Sequence, residues 1–228
     1  MIDSCYIDSL IKLCIMKINI FGASVTQQYN GYANILKHYF KNHSVNIYPY
    51  GGCHLSDAGI VHIDKVIDNK PDIVIIDWFS TALRSINNNS QIIKDEFTTS
   101  HEQIEKYLDT LIYKFSIKNI KLVFLFLLRF DHDERIEFYI FLKRYLNKLN
   151  IFYIDLNDDL SFITKIVRDS VHTTEYGSKI YAKIIYDKFL NGLNNINLVK
   201  NLPDPKFNNI LKIDLFKSIF ESIKFIGN

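Results

Sequence analysis

Apolar and polar positions along the chain follow two periods. Short β-rich runs fall at Lys17–Phe21, Val45–Tyr48, Ile73–Ile76, Lys121–Leu127 and Ile151–Ile154, each closed by polar or glycine-containing sequence. Between them the period lengthens. Tyr32, Ile35, Leu36, Tyr39 and Phe40 recur at helical spacing, as do Ile104, Tyr107, Leu108, Leu111, Ile112 and Phe115, so each stretch presents one apolar stripe. Ser100 with Gln103 three residues on has the capping-box spacing that satisfies free N–H groups at a helix start. Further helices are expected over Glu134–Leu149 and Glu175–Leu190, the second carrying Ile180, Tyr181, Ile184, Ile185 and Phe189 on one face. Strand runs alternating with helical stripes imply βαβ units, and hence an α/β fold with a parallel five-stranded sheet covered on both faces.

The pattern weakens past Gly192, through NNINLVKNLPDPKFNN, and returns only in an amphipathic segment around Leu215–Ile223. Residues 193–228 are therefore expected to be a C-terminal extension packed on a single domain spanning 16–192. Met16 followed by KINIFG begins the first strand run, which leaves 1–15 as an N-terminal appendage. At 228 residues the chain is long enough to bury the core of one such domain.

Composition narrows the classes of partner. The net charge of +2 arises from 27 basic and 25 acidic residues scattered along the chain, with no concentrated basic face for a phosphate backbone, so nucleic acid is not an expected partner. The three cysteines, Cys5, Cys14 and Cys53, have neither metal-ligand spacing nor a disulfide framework, which fits a reducing compartment. The first residues carry aspartates ahead of a short apolar patch, not the basic start of a secretory signal, and no run reaches the roughly 20 apolar residues of a spanning helix. A soluble, cytoplasmic protein without membrane insertion is the expectation.

Ligands of an open parallel sheet bind beyond the carboxyl ends of the strands, so the residues that follow each run are the chemical candidates. They are Gly22, Ala23 and Ser24 after the first; Gly51, Gly52, Cys53 and His54 after the second; Asp77, Trp78, Phe79, Ser80 and Thr81 after the third; and Arg129, Asp131 and His132 after the fourth. The fifth is followed by RDSVHTTEYG, with Asp169 and His172 three residues apart. Acyl transfer by serine needs a base for the hydroxyl proton, a carboxylate to orient the base, and N–H donors for the oxyanion. Ser24, His172 and Asp169 offer the serine, the base and the carboxylate. The Ser24 amide and the side-chain-free Gly52 offer the donors. Ser24 on its own reads equally as the N-cap of the next helix, the commonest duty of a serine at that position.

Gly22-Ala23-Ser24-Val25-Thr26, Gly51-Gly52, and Asp169-Ser170-Val171-His172, in that order and spacing, resemble blocks of the SGNH/GDSL hydrolase superfamily over residues 17–190. The resemblance implies a flavodoxin-like, three-layer α/β/α sandwich and an ester-cleaving or acyl-transferring serine enzyme with neither metal nor cofactor. Carried over residue by residue, Ser24 is the nucleophile, His172 the base, Asp169 its orienter, and Gly52 an oxyanion donor. Two departures stand out. Ala23 replaces the aspartate of Gly-Asp-Ser, and DWFSTAL follows PDIVII where the family carries Gly-x-Asn-Asp. Counted from Pro71, Thr81 takes the place of the oxyanion asparagine, so Thr81 or Ser80 offers a hydroxyl donor in its stead.

Around this set, Trp78 is a candidate sugar-stacking platform, Arg129 a candidate for an anionic substrate group, and His54 a candidate substrate contact. Cys53 and His132 read better as a packed side chain and a solvated loop residue. The leading expectation is a serine esterase that deacetylates a carbohydrate or small ester. An O-acetyltransferase of surface polysaccharide or glycan biosynthesis uses the same three residues with a sugar hydroxyl in place of water. From a different class comes a non-catalytic nucleotide or glycan binding module, against which GASVTQQ lacks both G-x-G-x-x-G and the P-loop lysine.

Overall fold

A computed structural model describes residues 15–51, 60–77, 101–127, 136–157, 163–169 and 172–199. The strands are β1 (Lys17–Gly22), β2 (Ser44–Pro49), β3 (Ile73–Ile76), β4 (Lys121–Phe126) and β5 (Phe152–Asp155). Every residue of β3 is buried, as is every residue of β4 after Lys121. Such strands read as continuous apolar runs because both of their faces are covered. All pairings are parallel, in the order β2-β1-β3-β4-β5. This is the flavodoxin-like order, in which the direction of winding reverses between β1 and β3 and leaves a crevice at their carboxyl ends.

The helices are α1 (Ser24–Gln27), α2 (Tyr32–Tyr39), α3 (Ile60–Ile67), α4 (His101–Ser116), α5 (Ile136–Lys148), α6 (Ile163–Ile166) and α7 (Glu175–Gly192). Alternation along the strands sorts the core into two halves. Ile18, Ile20, Ile73, Ile75, Val123 and Leu125 face α2 and α7, which contribute Leu36, Tyr181, Ile185 and Phe189. Phe21, Val74, Ile76, Phe124 and Phe126 face the opposite layer, with Ile63 of α3, Leu108 and Phe115 of α4, and Leu142 of α5. The result is the expected three-layer sandwich. Lys70, Asn119 and Asn150, which follow α3, α4 and α5, adopt positive φ of 51°, 57° and 54°. The left-handed residue at each helix end reverses the chain into the next strand.

Asn19 interrupts the apolar pattern in the middle of β1 and is fully buried. Its amide donates to the Val66 carbonyl at 2.6 Å and to Asn69 Oδ1 at 2.8 Å, while Asn46 and Asn69 donate back to its oxygen. The side chain thus ties the C-terminal end of α3 to the sheet, and its polarity is satisfied, as burial requires. Beyond α7 a turn of 3₁₀ helix (Leu193–Asn195) leads to Ile196 and Val199, which are buried against the two core halves. The remainder of the C-terminal extension and the N-terminal appendage up to residue 14 lie outside the described residues.

Candidate active site

The site begins where β1 ends. The helix after β1 has Ala23, not Ser24, as its N-cap, with no side-chain cap hydrogen bond; Ser24 is its first helical residue. The cap reading of Ser24 therefore fails, and its hydroxyl is directed elsewhere. Holding this turn from below is Asp77, one residue past β3 and only 1 % exposed. Its Oδ1 accepts from the Ala23 amide at 2.9 Å. Its Oδ2 accepts from the Tyr32 hydroxyl at 2.9 Å and from the Thr26 hydroxyl, which also lies 2.8 Å from the Tyr32 oxygen. Glycine at position 22 follows directly: a Cβ there would come within 1.8 Å of Asp77 Oδ1.

Burial pushes the Asp77 carboxyl up from its ordinary 3.8 to about 6, against the downward pull of the hydrogen bonds from Thr26, Ala23 and Tyr32. Burial, then the neighbouring Asp77 charge, holds the Tyr32 phenol well above its usual range, so it stays protonated and able to donate.

The second half of the site is the loop between α6 and α7. An antiparallel bridge pairs Val167 with Thr173, and Arg168 donates its amide to the His172 carbonyl at 2.6 Å. Thr174 closes the loop: its amide donates to the Ile166 carbonyl at 2.8 Å, and its hydroxyl caps α7 by accepting from the Gly177 amide at 3.0 Å. Gly177 is needed because a Cβ would stand 2.0 Å from the Ile166 carbonyl oxygen. Asp169 and His172 are thereby held on a tight, backbone-bonded turn. Asp169 Oδ1 accepts from the His172 amide at 2.7 Å, and its two oxygens lie 3.1 and 2.9 Å from His172 Nδ1.

The two halves meet at one contact, with His172 Nε2 lying 2.9 Å from Ser24 Oγ. With Nδ1–H donated to the carboxylate, Nε2 carries the lone pair that accepts from the Ser24 hydroxyl; the tautomer follows from the hydrogen-bond partners. The His172 and Asp169 side chains are 30 % and 47 % exposed, and Arg168 Nε stands 3.7 Å from Asp169 Oδ2 at the rim.

The structure thus brings Ser24, His172 and Asp169 into one chain of hydrogen bonds. Gly52, His54, Trp78, Ser80, Thr81 and Arg129, with Cys53 and His132, lie outside the described residues. Asp77 is legible as a strand-end candidate, but its role beneath the serine turn depends on partners distant in sequence. Tyr32 reads as one more member of the apolar stripe of α2. Among the described residues no group of three His, Cys, Asp or Glu side chains is placed to hold a metal, and no helix is long and apolar enough to cross a membrane.

Solved structures share this arrangement of strands and helices. An acetyl xylan esterase matches with a TM-score of 0.61 at 21 % identity, over 76 % of this chain and 99 % of that one. A protein assigned to the lipolytic G-D-S-L family from Desulfitobacterium hafniense matches with a TM-score of 0.58 at 14 % identity, over 75 % of this chain and 98 % of that one. The chain has the SGNH hydrolase fold. A lipase/acylhydrolase from Enterococcus faecalis shares the SGNH-type scaffold with a TM-score of 0.58 at 15 % identity, over 80 % of this chain and 98 % of that one. No family model and no curated protein matches the sequence.

Proposed function

We propose that this chain is a serine esterase that removes an acyl group, preferentially acetyl, from a carbohydrate or small ester. The observation that carries the proposal is the 2.9 Å contact between Ser24 Oγ and His172 Nε2, with Asp169 on the other imidazole nitrogen. In the first half-reaction Ser24 Oγ attacks the ester carbonyl carbon while Nε2 takes the hydroxyl proton. Asp169 stabilises the imidazolium that results. Collapse of the tetrahedral adduct expels the alcohol, which leaves with the proton from Nε2. Water then attacks the acyl carbonyl carbon as Nε2 takes its proton, and collapse of the second adduct returns that proton to Ser24 Oγ and releases the acid.

The developing oxyanion requires donors. As the first residue of α1, Ser24 has an amide that no intrahelical carbonyl engages. By the family resemblance it is joined by the Gly52 amide and by the hydroxyl of Thr81 or Ser80.

A cleft along α2 and the first turns of α7 supports a polar, sugar-like substrate. Tyr29, 90 % exposed, stands at a cleft of about 310 Å³ with Asn30, Asn34, His38, Glu175 and Lys179. A tyrosine face beside amide and charged side chains suits a pyranose, which presents C–H groups on its faces and hydroxyls at its edge. The acetyl xylan esterase among the structural neighbours points the same way.

The test is hydrolysis of p-nitrophenyl acetate by the wild type and by Ser24→Ala, together with intact mass after exposure to a fluorophosphonate. Turnover and a single adduct in the wild type, both absent from the variant, are expected. Equal rates in the two proteins would overturn the proposal. Acetyl transfer to a glycan hydroxyl faster than hydrolysis would replace water by a sugar acceptor and make the chain an O-acetyltransferase.

A further inference from the structure

Three consecutive polar residues follow the serine, and each reaches a different part of the crevice. Thr26 bonds Asp77 beyond β3. Gln27 turns toward the end of β2, where its Oε1 lies so close over Gly51 that a Cβ there would be 2.0 Å away. Gln28 turns the opposite way and grips the loop that bears His172.

We infer that Gln28 is a positioning residue that sets the approach of His172 to Ser24, an assignment that rests on the esterase reading above. The grip has three hydrogen bonds. Gln28 Nε2 donates to the Thr173 carbonyl at 3.0 Å, and Gln28 Oε1 accepts from the Thr173 amide at 3.2 Å and from the Thr173 hydroxyl at 3.1 Å. The amide it receives belongs to the peptide that leaves His172, so the imidazole is one covalent step from the clamp. Thr173 is itself fixed, being buried and within 2.6 Å of the Ser178 hydroxyl in the first turn of α7. On the other side Gln28 is the C-cap of α1, the four-residue helix that begins with Ser24. Base and nucleophile are 148 residues apart in sequence, and the Gln28 amide shortens the link between them to one helical turn and one side chain.

A primary amide suits this position because it both donates and accepts in one plane. Alanine loses all three bonds, and asparagine offers the same groups one methylene short. Glutamate keeps both acceptor contacts but sets a carboxylate oxygen against the Thr173 carbonyl. Displacing a catalytic group by about 1 Å costs as much as 10²-fold in rate.

The experiment compares Gln28→Ala, Gln28→Asn and Gln28→Glu with wild type and Ser24→Ala, measuring kcat and KM for p-nitrophenyl acetate, the rate of fluorophosphonate labelling and the melting temperature. Alanine and asparagine are expected to lower kcat about 10- to 100-fold with KM within about twofold. Labelling should slow in parallel, the melting temperature should hardly move, and glutamate should fall between them and wild type. Rates within twofold of wild type in all three variants, while Ser24→Ala is inactive, would overturn the role of Gln28 and leave the esterase reading standing. A loss of rate that only tracks a fall in folded protein would overturn it equally. If wild type and Ser24→Ala hydrolyse alike, the esterase reading fails and takes this inference with it.

Discussion

The proposed nucleophile and the proposed base are mounted in opposite ways. Ser24 rises from the centre of the sheet: β1 is flanked by β2 and β3, Val25 and Thr26 beside the serine are buried, and Asp77 anchors the turn from within the core. His172 and Asp169 sit on a partly exposed loop held by backbone hydrogen bonds, a threonine cap and the Gln28 amide. Stability and placement are therefore coupled on the serine side and separable on the base side. A change beneath Ser24 should disturb both folding and activity, whereas a change in the loop should be read mainly in activity.

The largest effects test the three proposed reacting groups, one from the serine side and two from the base loop. Ser24→Ala and His172→Ala should each abolish measurable turnover, a loss on the order of 10⁴-fold or more, while Asp169→Ala should be about 10²-fold milder. Asp169 is the most exposed of the three, so water replaces part of what its carboxylate provides. Urea denaturation of the three variants should match wild type to within about 1 kcal/mol, because none of these side chains is buried. A loop variant that unfolds the protein would break the contrast between the two mountings.

Next in size is the buried carboxylate. Asp77 has its native pKa raised from 3.8 to about 6, so between those values the unfolded chain gives up this proton first. The contribution to stability is whole below about pH 4 and is lost as pH rises toward 6, by about 3 kcal/mol, after which it stays constant. Asp77→Asn removes the titration, keeps an oxygen for the Ala23 amide and offers an N–H to the Thr26 oxygen. Its unfolding free energy should therefore be flatter than that of wild type from pH 4 to 6, as measured by urea denaturation at several pH values. Parallel profiles would mean that Asp77 does not carry the strain of burial. Asp77→Ala, by contrast, strands the Ala23, Thr26 and Tyr32 donors and should destabilise at every pH by about 1–3 kcal/mol.

These two halves also differ in how far the sequence reveals them. The β3 and β4 positions are legible because burial on both faces writes itself as apolar runs, and α2, α4, α5 and α7 because their apolar residues recur at helical spacing. Helix α3, IVHIDKVI, is no shorter than α2, but a short, mostly apolar run of this kind reads equally as a strand or a helix. Ser24, Asp169 and His172 could be nominated from strand ends and local spacing. Asp77 and Gln28 could not be given roles, since their partners are distant in sequence: Ala23, Thr26 and Tyr32 lie 45 to 54 residues from Asp77, and Thr173 lies 145 from Gln28. Asn19 belongs with them, a polar residue in a core strand explained only by the Val66 carbonyl 47 residues on. Local pattern names the groups proposed to react, and contacts made only in the fold identify the groups that hold them.

The smallest effect sharpens the comparison most finely. Thr174 performs two duties in the base loop: its hydroxyl caps α7, and the turn is closed by hydrogen bonds from its amide to the Ile166 carbonyl and from its hydroxyl to the Lys165 and Ile166 carbonyls. Thr174→Ala deletes the cap and retains the amide, so a loss of about 1 kcal/mol in stability is expected. If the loop is mounted separately from the core, that loss should appear as faster hydrogen exchange over 166–177, with the amides of β1 and β3 unchanged. Activity should fall only a few-fold, because Gln28 still holds the Thr173 peptide that follows His172. Combining Thr174→Ala with Gln28→Ala should then lower kcat by more than the product of the two single effects, since each is the other's remaining support. Simple multiplication of the two losses would show instead that cap and clamp act on His172 independently.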